Sequence, residues 1–493
     1  MLLTLVTFIP LIGGLALLFV PKGKDDIVRG IATAAAAVAL ILSVIVLLGY
    51  DKSLAGMQFV EHRIWIPSLN VTYYLGVDGL SIAMLVLTTL LSLISVIYSY
   101  NITSRVKEYF FFFLLLETGM LGVFLALDFF LFYVFWEITL VPMYFLIGIW
   151  GGPRKEYAAI KFFLYTLFGS VIMLLGIIAL YFASPSHTFN MLELAEQAPT
   201  FTKLFQNVIY AALFIGFAIK VPVFPFHTWL PDAHVEAPTA VSVILAGVLL
   251  KMGTYGMLRV SFSILPQAVL YFAMPLAVLA MINIIYGAYC AMAQKDLKKM
   301  IAYSSINHMG YVLLGMAAMT TAGLNGAIFQ MFNHGIITGA LFLLVGVIYD
   351  RAHTRDIEGF GGLGSIMPVY TGIMMVAVFA SLGLPGLSGF WSEFMCFLGA
   401  FQVQNTWMKI ITGLSAIGIV VTAAYFLIMI QKVFLGPANE KWKSLPEINR
   451  RELITVVPLI VIMVVLGFLP RIVMELSSKN VDSMVKMLGA IKP

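Results

Sequence analysis

Residues 220–256 read KVPVFPFHTWLPDAHVEAPTAVSVILAGVLLKMGTYG. Pro222 and Pro225 interrupt an apolar segment, because proline inside a helix removes a hydrogen bond and clashes with the preceding turn. The apolar run that follows holds Lys251 at its centre, where a charge exposed to lipid costs roughly 2.5–3.5 kcal/mol. Irregular backbone and charge are tolerated at membrane depth only inside protein or beside water. The stretch therefore predicts a membrane protein with a broken helix and a polar interior.

The composition is that of a membrane protein. Of the 493 residues, 61% are hydrophobic and 11% are charged, whereas soluble domains carry about 45–50% apolar and about 25% charged residues. These proportions exclude soluble-enzyme, fibrous, disordered and disulfide-rich secreted proteins. The net charge of +5 is spread thinly without a basic cluster among aromatics, so no nucleic-acid partner is expected. Cys290 and Cys396 lie in apolar runs, which favours buried inert thiols over a disulfide or a metal pair.

About fourteen apolar segments predict membrane spans, since about 20 residues cross a bilayer as a helix. Lysine and arginine test this count, because they concentrate in cytoplasmic loops and should recur in every second loop. Seventeen of the 29 Lys and Arg residues follow odd-numbered segments. An even count then places both termini on the non-cytoplasmic face. The segments centre on residues 1–20, 29–49, 78–100, 109–127, 129–149, 157–182, 204–226, 238–262, 267–293, 299–319, 322–349, 366–400, 407–434 and 453–475.

A second segment is interrupted at SLGLPGLSGFWSEF, residues 381–394. The run AAIKFF at 158–163 resembles GAIFQM at 326–331, and this offset of 168 residues brings Pro222 within five residues of Pro385. Paired breaks are typical of transporters built from internal repeats, and an odd number of spans per repeat inverts the second copy. The alternative is that the breaks serve helix packing alone.

We therefore predict an all-α polytopic membrane protein with about 14 transmembrane helices, two inverted five-helix repeats (spans 4–8 and 9–13) and broken helices 7 and 12. The corresponding domains are residues 1–108 with the first three spans, 109–262 with the first repeat, 263–434 with the second repeat, and 435–493 with the last span and a tail.

Four charged residues inside the predicted spans are candidates for proton transfer: Glu137, Lys220, Lys251 and Glu393. A lysine stripped of water releases its proton more readily, and a nearby carboxylate restores the ammonium form. A Glu-Lys pair therefore holds a proton whose release depends on the distance between the partners. Lys220 precedes Pro222, so a hinge there could change its distance to Glu137. The alternative is a static ion pair that joins helices.

His308 and His334 extend this series, because imidazole relays protons near neutral pH. Each lies among serine and asparagine in an otherwise apolar segment; the alternative is a packing role. A solvated or loop-fixing role is equally open for a second group of residues, Lys161, His227, Asp232, His234 and Glu236. Glu117 and Asp128 could each join a proton path or cap a helix.

Several kinds of chemistry have no motif in the sequence. It contains no glycine-rich nucleotide loop, no cysteine cluster for iron-sulfur and no recognised metal-ligand spacing, including around His227 and His234. We therefore expect no cofactor and no metal in this chain. The energy for transport must then come from an ion gradient or from a partner protein.

The stretch at 220–256 closely resembles the signature of the antiporter-like membrane subunits of respiratory complex I (NADH:quinone oxidoreductase) and of multisubunit Na+/H+ antiporters. The resemblance extends to DFFLFYVFWEITLVPMYFLIGIWGG, DLKKMIAYSSINHMGY and LPGLSGFWSEF, and it covers essentially the whole chain. It implies that Glu137 and Lys220 form the proton-linked ion pair, that Lys251 is the central relay, and that Glu393 ends the route. His308 and His334 match positions that line the polar axis.

The resemblance also implies partners and a location. These are the other membrane-arm subunits of complex I, including the antiporter-like neighbours L and N, in a bacterial inner membrane, with NADH, FMN, iron-sulfur clusters and quinone in other subunits. Glu393 stands where L, N and the antiporter subunits generally carry lysine, which favours the remaining complex I subunit of this type. Two alternatives stay open: a subunit of a Na+/H+ antiporter, and a structural spacer whose ion pairs only hold a membrane arm together.

Overall fold

The computed structural model describes residues 1–491, and these residues fold mostly as helices. Eleven of the described helices are long and apolar enough to cross a membrane. In chain order the helices are α1 (Leu2–Leu18), α2 (Asp25–Leu48), α3 (Ile82–Tyr98), α4 (Val106–Leu125), α5 (Phe129–Trp150), α6 (Lys155–Ala183), α7 (Met191–Glu196), α8 (Lys203–Lys220), α9 (Trp229–Glu236), α10 (Thr239–Ile264), α11 (Pro266–Met292), α12 (Leu297–Ala318), α13 (Thr321–Ala352), α14 (Leu363–Ile366), α15 (Pro368–Ser381), α16 (Ser388–Gln402), α17 (Thr406–Val433), α18 (Arg450–Phe468) and α19 (Arg471–Ile491).

The helices confirm the predicted all-α membrane architecture. Each of the fourteen apolar segments overlaps a helix. Segment 12 holds two, α15 and α16, whereas in segment 7 the helix α8 stops at Lys220, before Pro222, and the short helix α9 begins just beyond the segment. The two predicted breaks are therefore present. Two elements were not anticipated: an antiparallel hairpin of β1 (Gln58–Ile66) and β2 (Val71–Val77), and the amphipathic helix α19. The inverted repeat and the four-part domain division stay predictions.

The chain groups into two compact units. The first comprises residues 1–222, 248–274 and 475–491, and the second comprises residues 223–247 and 275–474. The first unit therefore holds α1 to α6, α8 and the later part of α10, while the second holds α12, α13 and α15 to α18.

Glycine lets two helices of the first unit approach closely. A Cβ atom at Gly216 of α8 would lie 2.8 Å from Met173 Cβ and 2.9 Å from the carbonyl oxygen of Gly169 in α6. Contacts below 3.0 Å would force the helices apart, so only glycine fits at this crossing. Because membrane helices gain little hydrophobic energy from association, such close packing is a main source of their attraction. It fixes the end of α8 that carries Lys220.

The break in the second unit also depends on glycine. Between α15 and α16, Gly383 (φ +72°) and Gly386 (φ +92°) adopt the left-handed conformation that other residues avoid. A Cβ atom at Gly389 would lie 2.0 Å from the carbonyl oxygen of Ala380, so the two half-helices cross almost in backbone contact. This geometry brings the end of α15 beside the first turns of α16.

Asp128 joins α5 to the hairpin. Its Oδ1 accepts hydrogen bonds from the amides of Phe130 (2.9 Å) and Leu131 (3.2 Å), which caps α5. Its Oδ2 accepts from the amide and the hydroxyl of Thr72 in β2, both at 2.9 Å. Of the two roles left open for Asp128 by the sequence, the structure shows the helix cap.

We expect Asp128→Ala to destabilise the protein by about 1–2 kcal/mol, because a helix cap and two buried hydrogen bonds are lost together. Asp128→Asn keeps the oxygen that caps α5 and should lose about half as much stability. The measurement is the thermal unfolding midpoint of the detergent-solubilised protein. Equal midpoints for the two variants would contradict a capping role.

Candidate functional site

Lys220 is the last residue of α8 and is only 1% exposed. Its Nζ lies 5.4 Å from the ring centroid of Trp136 and 5.7 Å from that of Phe162, both within cation–π range. The carboxylate of Glu137, next to Trp136 in α5, acts electrostatically on the Lys220 ammonium. A helix C-terminus also favours a cation. Aromatic faces, a helix end and one carboxylate therefore surround the ammonium group of Lys220.

The carboxylate of Glu137 uses only part of its hydrogen-bonding capacity. Its Oε1 is buried and has no hydrogen-bond partner among the described residues. The phenol of Tyr133, one turn earlier in α5, interacts with Glu137 and with Ser170 of α6. A buried carboxylate with an unused acceptor has capacity to take a proton or a bond when its surroundings change. Glu137 and Lys220 therefore lie in the same unit and interact electrostatically, and their role as a proton-linked pair stays a prediction.

Lys251 is fully buried in α10. The α-helical segment that carries it, Leu250–Gly256, lies between two π-helical segments, Leu245–Leu249 and Met257–Ser261. Such widened turns are rare and occur frequently at functional sites. Sequence periodicity gave no signal for them, because a π turn changes the hydrogen-bond register and leaves composition unchanged.

Glycines set the distance between this part of α10 and α8. A Cβ atom at Gly256 would lie 2.4 Å from the ring of Phe217, and one at Gly253 would lie 2.7 Å from the carbonyl oxygen of Phe217. Phe217 is one turn before Lys220. Because the two glycines make room for Phe217, the helices that carry Lys220 and Lys251 pack side by side.

His308 and Glu393 form a hydrogen-bonded pair in the second unit. His308 Nδ1 lies 3.2 Å from Glu393 Oε1, and His308 Nε2 lies 3.1 Å from the hydroxyl of Ser381. All three side chains are less than 10% exposed. Ser381 ends α15 and Glu393 lies in α16, so the helix break itself assembles this group. A histidine with a partner on each ring nitrogen can take a proton on one side and release one on the other.

His334 lies beside this pair across a small cavity. Its ring centroid is 5.8 Å from that of His308, and the cavity between them has a volume of about 10 Å³, near the minimum for one water molecule. Gln330 also lines the cavity, and its Oε1 accepts a 2.5 Å hydrogen bond from Ser392. Ser381 and Gln330 were missed because neither is ionisable and a single polar residue in an apolar helix is common.

The remaining sequence candidates lie elsewhere. Glu117 is fully buried, and neither carboxylate oxygen has a hydrogen-bond partner among the described residues. His234 stacks on Phe342, with ring centroids 4.6 Å apart, and Lys161 lies over Tyr157. No group of three or more His, Cys, Asp or Glu side chains that could hold a metal occurs within residues 1–491. Of the six proton-transfer candidates, three lie in the first unit (Glu137, Lys220 and Lys251) and three lie in the second (His308, His334 and Glu393).

The fold and this set of buried charges define a class of ion-translocating membrane protein. A family model described as NADH:quinone oxidoreductase/Mrp antiporter, TM, matches residues 126–420, which include all six candidates. The chain belongs to this family.

Two relatives in this family are similar to the chain over almost their whole length. The chain is 43% identical over 488 residues to NADH-quinone oxidoreductase subunit M of Rickettsia conorii, covering 97% of each chain. It is 44% identical over 499 residues to NADH-quinone oxidoreductase subunit M of Rhodobacter capsulatus, covering 98% of this chain and 96% of that one.

Solved structures share the fold over almost the full length. The match to a chain of respiratory complex I from Thermus thermophilus with bound NADH has a TM-score of 0.90 at 28% identity and covers 99% of this chain and 100% of that one. The match to the Mrp complex from Dietzia has a TM-score of 0.86 at 22% identity and covers 99% and 98%; at this identity it shows the fold alone.

We expect Gly383→Ala to displace the carboxylate of Glu393. The new Cβ would lie 3.0 Å from Glu393 Oε2, and a non-glycine residue at φ +72° costs about 1–2 kcal/mol. Infrared difference spectroscopy of the carboxyl stretch should show an altered band. Gly413→Ala in α17 is the control, because a Cβ there meets nothing within 4 Å; equal spectra for the two variants would contradict the expected contact.

Proposed function

We propose that this chain is the proton-translocating membrane-arm subunit of an NADH-quinone oxidoreductase, corresponding to subunit M. The observation that carries the proposal is the coincidence of two findings: near-full-length identity of 43–44% to proteins of that name, and six buried proton-transfer candidates within the matched family region. Its partners would be the antiporter-like neighbours L and N in a bacterial inner membrane, with both termini on the non-cytoplasmic face. The redox groups, NADH, FMN, iron-sulfur clusters and quinone, would be held by other subunits.

The first step of the proposed mechanism is a change in the distance between Glu137 and Lys220. Two unit charges 4 Å apart interact by about 4 kcal/mol at an effective dielectric constant of about 20, and by about 2.4 kcal/mol at about 7 Å. The difference corresponds to roughly a tenfold to twentyfold change in proton affinity. A signal from a neighbouring subunit that separates the pair would therefore release the proton of Lys220 toward Lys251.

The later steps use the second group. We propose that the proton continues through His308 and His334 to Glu393 and leaves toward the outer face. His308 is suited to this because its two ring nitrogens already meet Glu393 and Ser381, and one water in the cavity could join it to His334. Ser381 and Gln330 would hold the relay groups in place.

We expect Glu137→Gln and Lys220→Ala to lower proton translocation by at least about tenfold in an assembled complex, because each removes a charge whose partner sets the proton affinity. The measurement is the proton-to-electron ratio in inside-out vesicles. The matched controls are Glu156→Gln at the exposed start of α6 and Lys203→Ala at the other, exposed end of α8. Normal translocation in either test variant would overturn the proposed route.

The same vesicles discriminate the two alternatives. A Na+/H+ antiporter subunit would exchange sodium for protons without electron transfer and would purify without flavin or iron-sulfur absorbance. A structural spacer would lose assembly on charge removal and keep a normal proton-to-electron ratio in whatever complex still forms.

A further inference from the structure

A second buried charge cluster lies in the first unit, and no role has been assigned to it so far. Arg259 of α10 forms a two-point ion pair with Asp78, Nη1 donating to Oδ2 at 2.8 Å and Nη2 to Oδ1. The two side chains are 6% and 2% exposed. Removing one partner of a buried, hydrogen-bonded pair is strongly destabilising, because the other charge is left uncompensated. The pair is therefore a fixed point in this unit.

The cluster continues to the amphipathic helix α19. Asn480 donates through Nδ2 to Asp78 Oδ2 at 3.1 Å and to the carbonyl oxygen of Ala55 at 2.7 Å. Its Oδ1 accepts from the amide of Gly79 at 3.1 Å. A Cβ atom at Gly79 would lie 2.3 Å from the carbonyl oxygen of Leu476, so the backbone of α19 rests directly on this turn.

Arg259 and Tyr255 extend this cluster along α10 in the direction of Lys251. Arg259 Nε donates to the Tyr255 hydroxyl at 3.1 Å, and that hydroxyl donates to the carbonyl oxygen of Phe124 in α4 at 2.9 Å. Tyr255 and Arg259 follow Lys251 by one and two turns in the same helix, and Arg259 lies inside the π-helical segment Met257–Ser261. A π segment departs from the regular α-helical ladder and is rare, and the ion pair of Arg259 ties this one to a residue outside the helix.

We propose that Asp78, Arg259 and Asn480 form an anchor through which α19 fixes the register of α10 and thereby the position of Lys251. Asp78 pairs with Arg259 of α10, and Asn480 of α19 donates a second hydrogen bond to the Oδ2 atom that also accepts from Arg259. These three are positioning residues, since they act through Lys251. The inference rests on the proposed function, in which Lys251 relays protons.

The first test is Asn480→Ala in the complete complex, with Lys479→Ala on the exposed side of the same helix as the matched control. Hydrogen exchange of residues 250–261 should rise by at least about tenfold, because the register of α10 is no longer held. Exchange of residues 406–433 in the second unit should not change. The proton-to-electron ratio should fall while quinone reduction continues, and the control should match the unaltered complex.

The second test separates electrostatic anchoring from packing. Asn480→Asp keeps the size of the side chain but places a second carboxylate against Asp78, so its defect should exceed that of Asn480→Ala and should shrink as the pH is lowered. The titratable and charged groups facing this position are Asp78, Arg259, Tyr255 and Tyr50, and burial next to Asp78 raises the pKa of Tyr50. The two variants are compared from about pH 5 to 8. A pH-independent defect equal to that of Asn480→Ala would overturn the electrostatic anchor.

The outcomes distinguish the anchor from the proposed function. If Lys251→Ala leaves translocation intact, the proposed proton route fails. If Lys251→Ala abolishes translocation but Asn480→Ala changes neither hydrogen exchange nor translocation, the anchor alone fails. Should Asn480→Ala prevent assembly, Arg259→Lys decides, since it keeps the charge and loses the two-point geometry; unchanged exchange of residues 250–261 in that variant would overturn the anchor.

Discussion

The cost of removing a charge from water is the constraint on which this structure depends. In a chain with 61% hydrophobic residues, a buried charge is stabilised where a second polar or aromatic group contacts it. Arg259 meets Asp78, Arg351 meets Glu452 at 2.8 Å, and Lys220 meets two aromatic rings and a carboxylate. These contacts constrain the packing of the chain, because each joins segments that are far apart in the sequence.

Helix breaks allow such contacts between charged and polar groups at membrane depth. A continuous helix satisfies its own backbone and presents only side chains, whereas a break exposes helix ends that favour charge. The break after α15 places Ser381 and Glu393 on opposite sides of His308, and the end of α8 carries Lys220. The glycines at these points are needed because the two backbones approach within contact distance.

The sequence predicted the fold well and the candidate site in part. Hydropathy located the helices, and proline with glycine located both breaks, because these signals act within one helix and need no knowledge of neighbours. It also singled out the ionisable residues, since a charge in an apolar run is rare. It missed Ser381, Gln330 and the Asp78–Arg259 pair. Asp78 and Arg259 lie at the edges of apolar segments, where charges are ordinary, and only the folded chain brings residues 181 positions apart into a buried pair.

The buried charged groups differ in geometry, and the difference matches the proposed division into anchors and proton carriers. Asp78–Arg259 and Arg351–Glu452 are each joined by two hydrogen bonds, and arginine stays protonated at any physiological pH. The proposed carriers instead meet a charged partner through one hydrogen bond, as between His308 and Glu393 at 3.2 Å, or make no directional contact, as for Lys220 over its aromatic rings. Because a two-point arginine pair resists both deprotonation and rotation, it suits a part that must stay still. Lysine and histidine exchange protons, so a change in a single contact is enough to shift their proton affinity. The arginine pairs keep the surrounding helices in place while that contact changes.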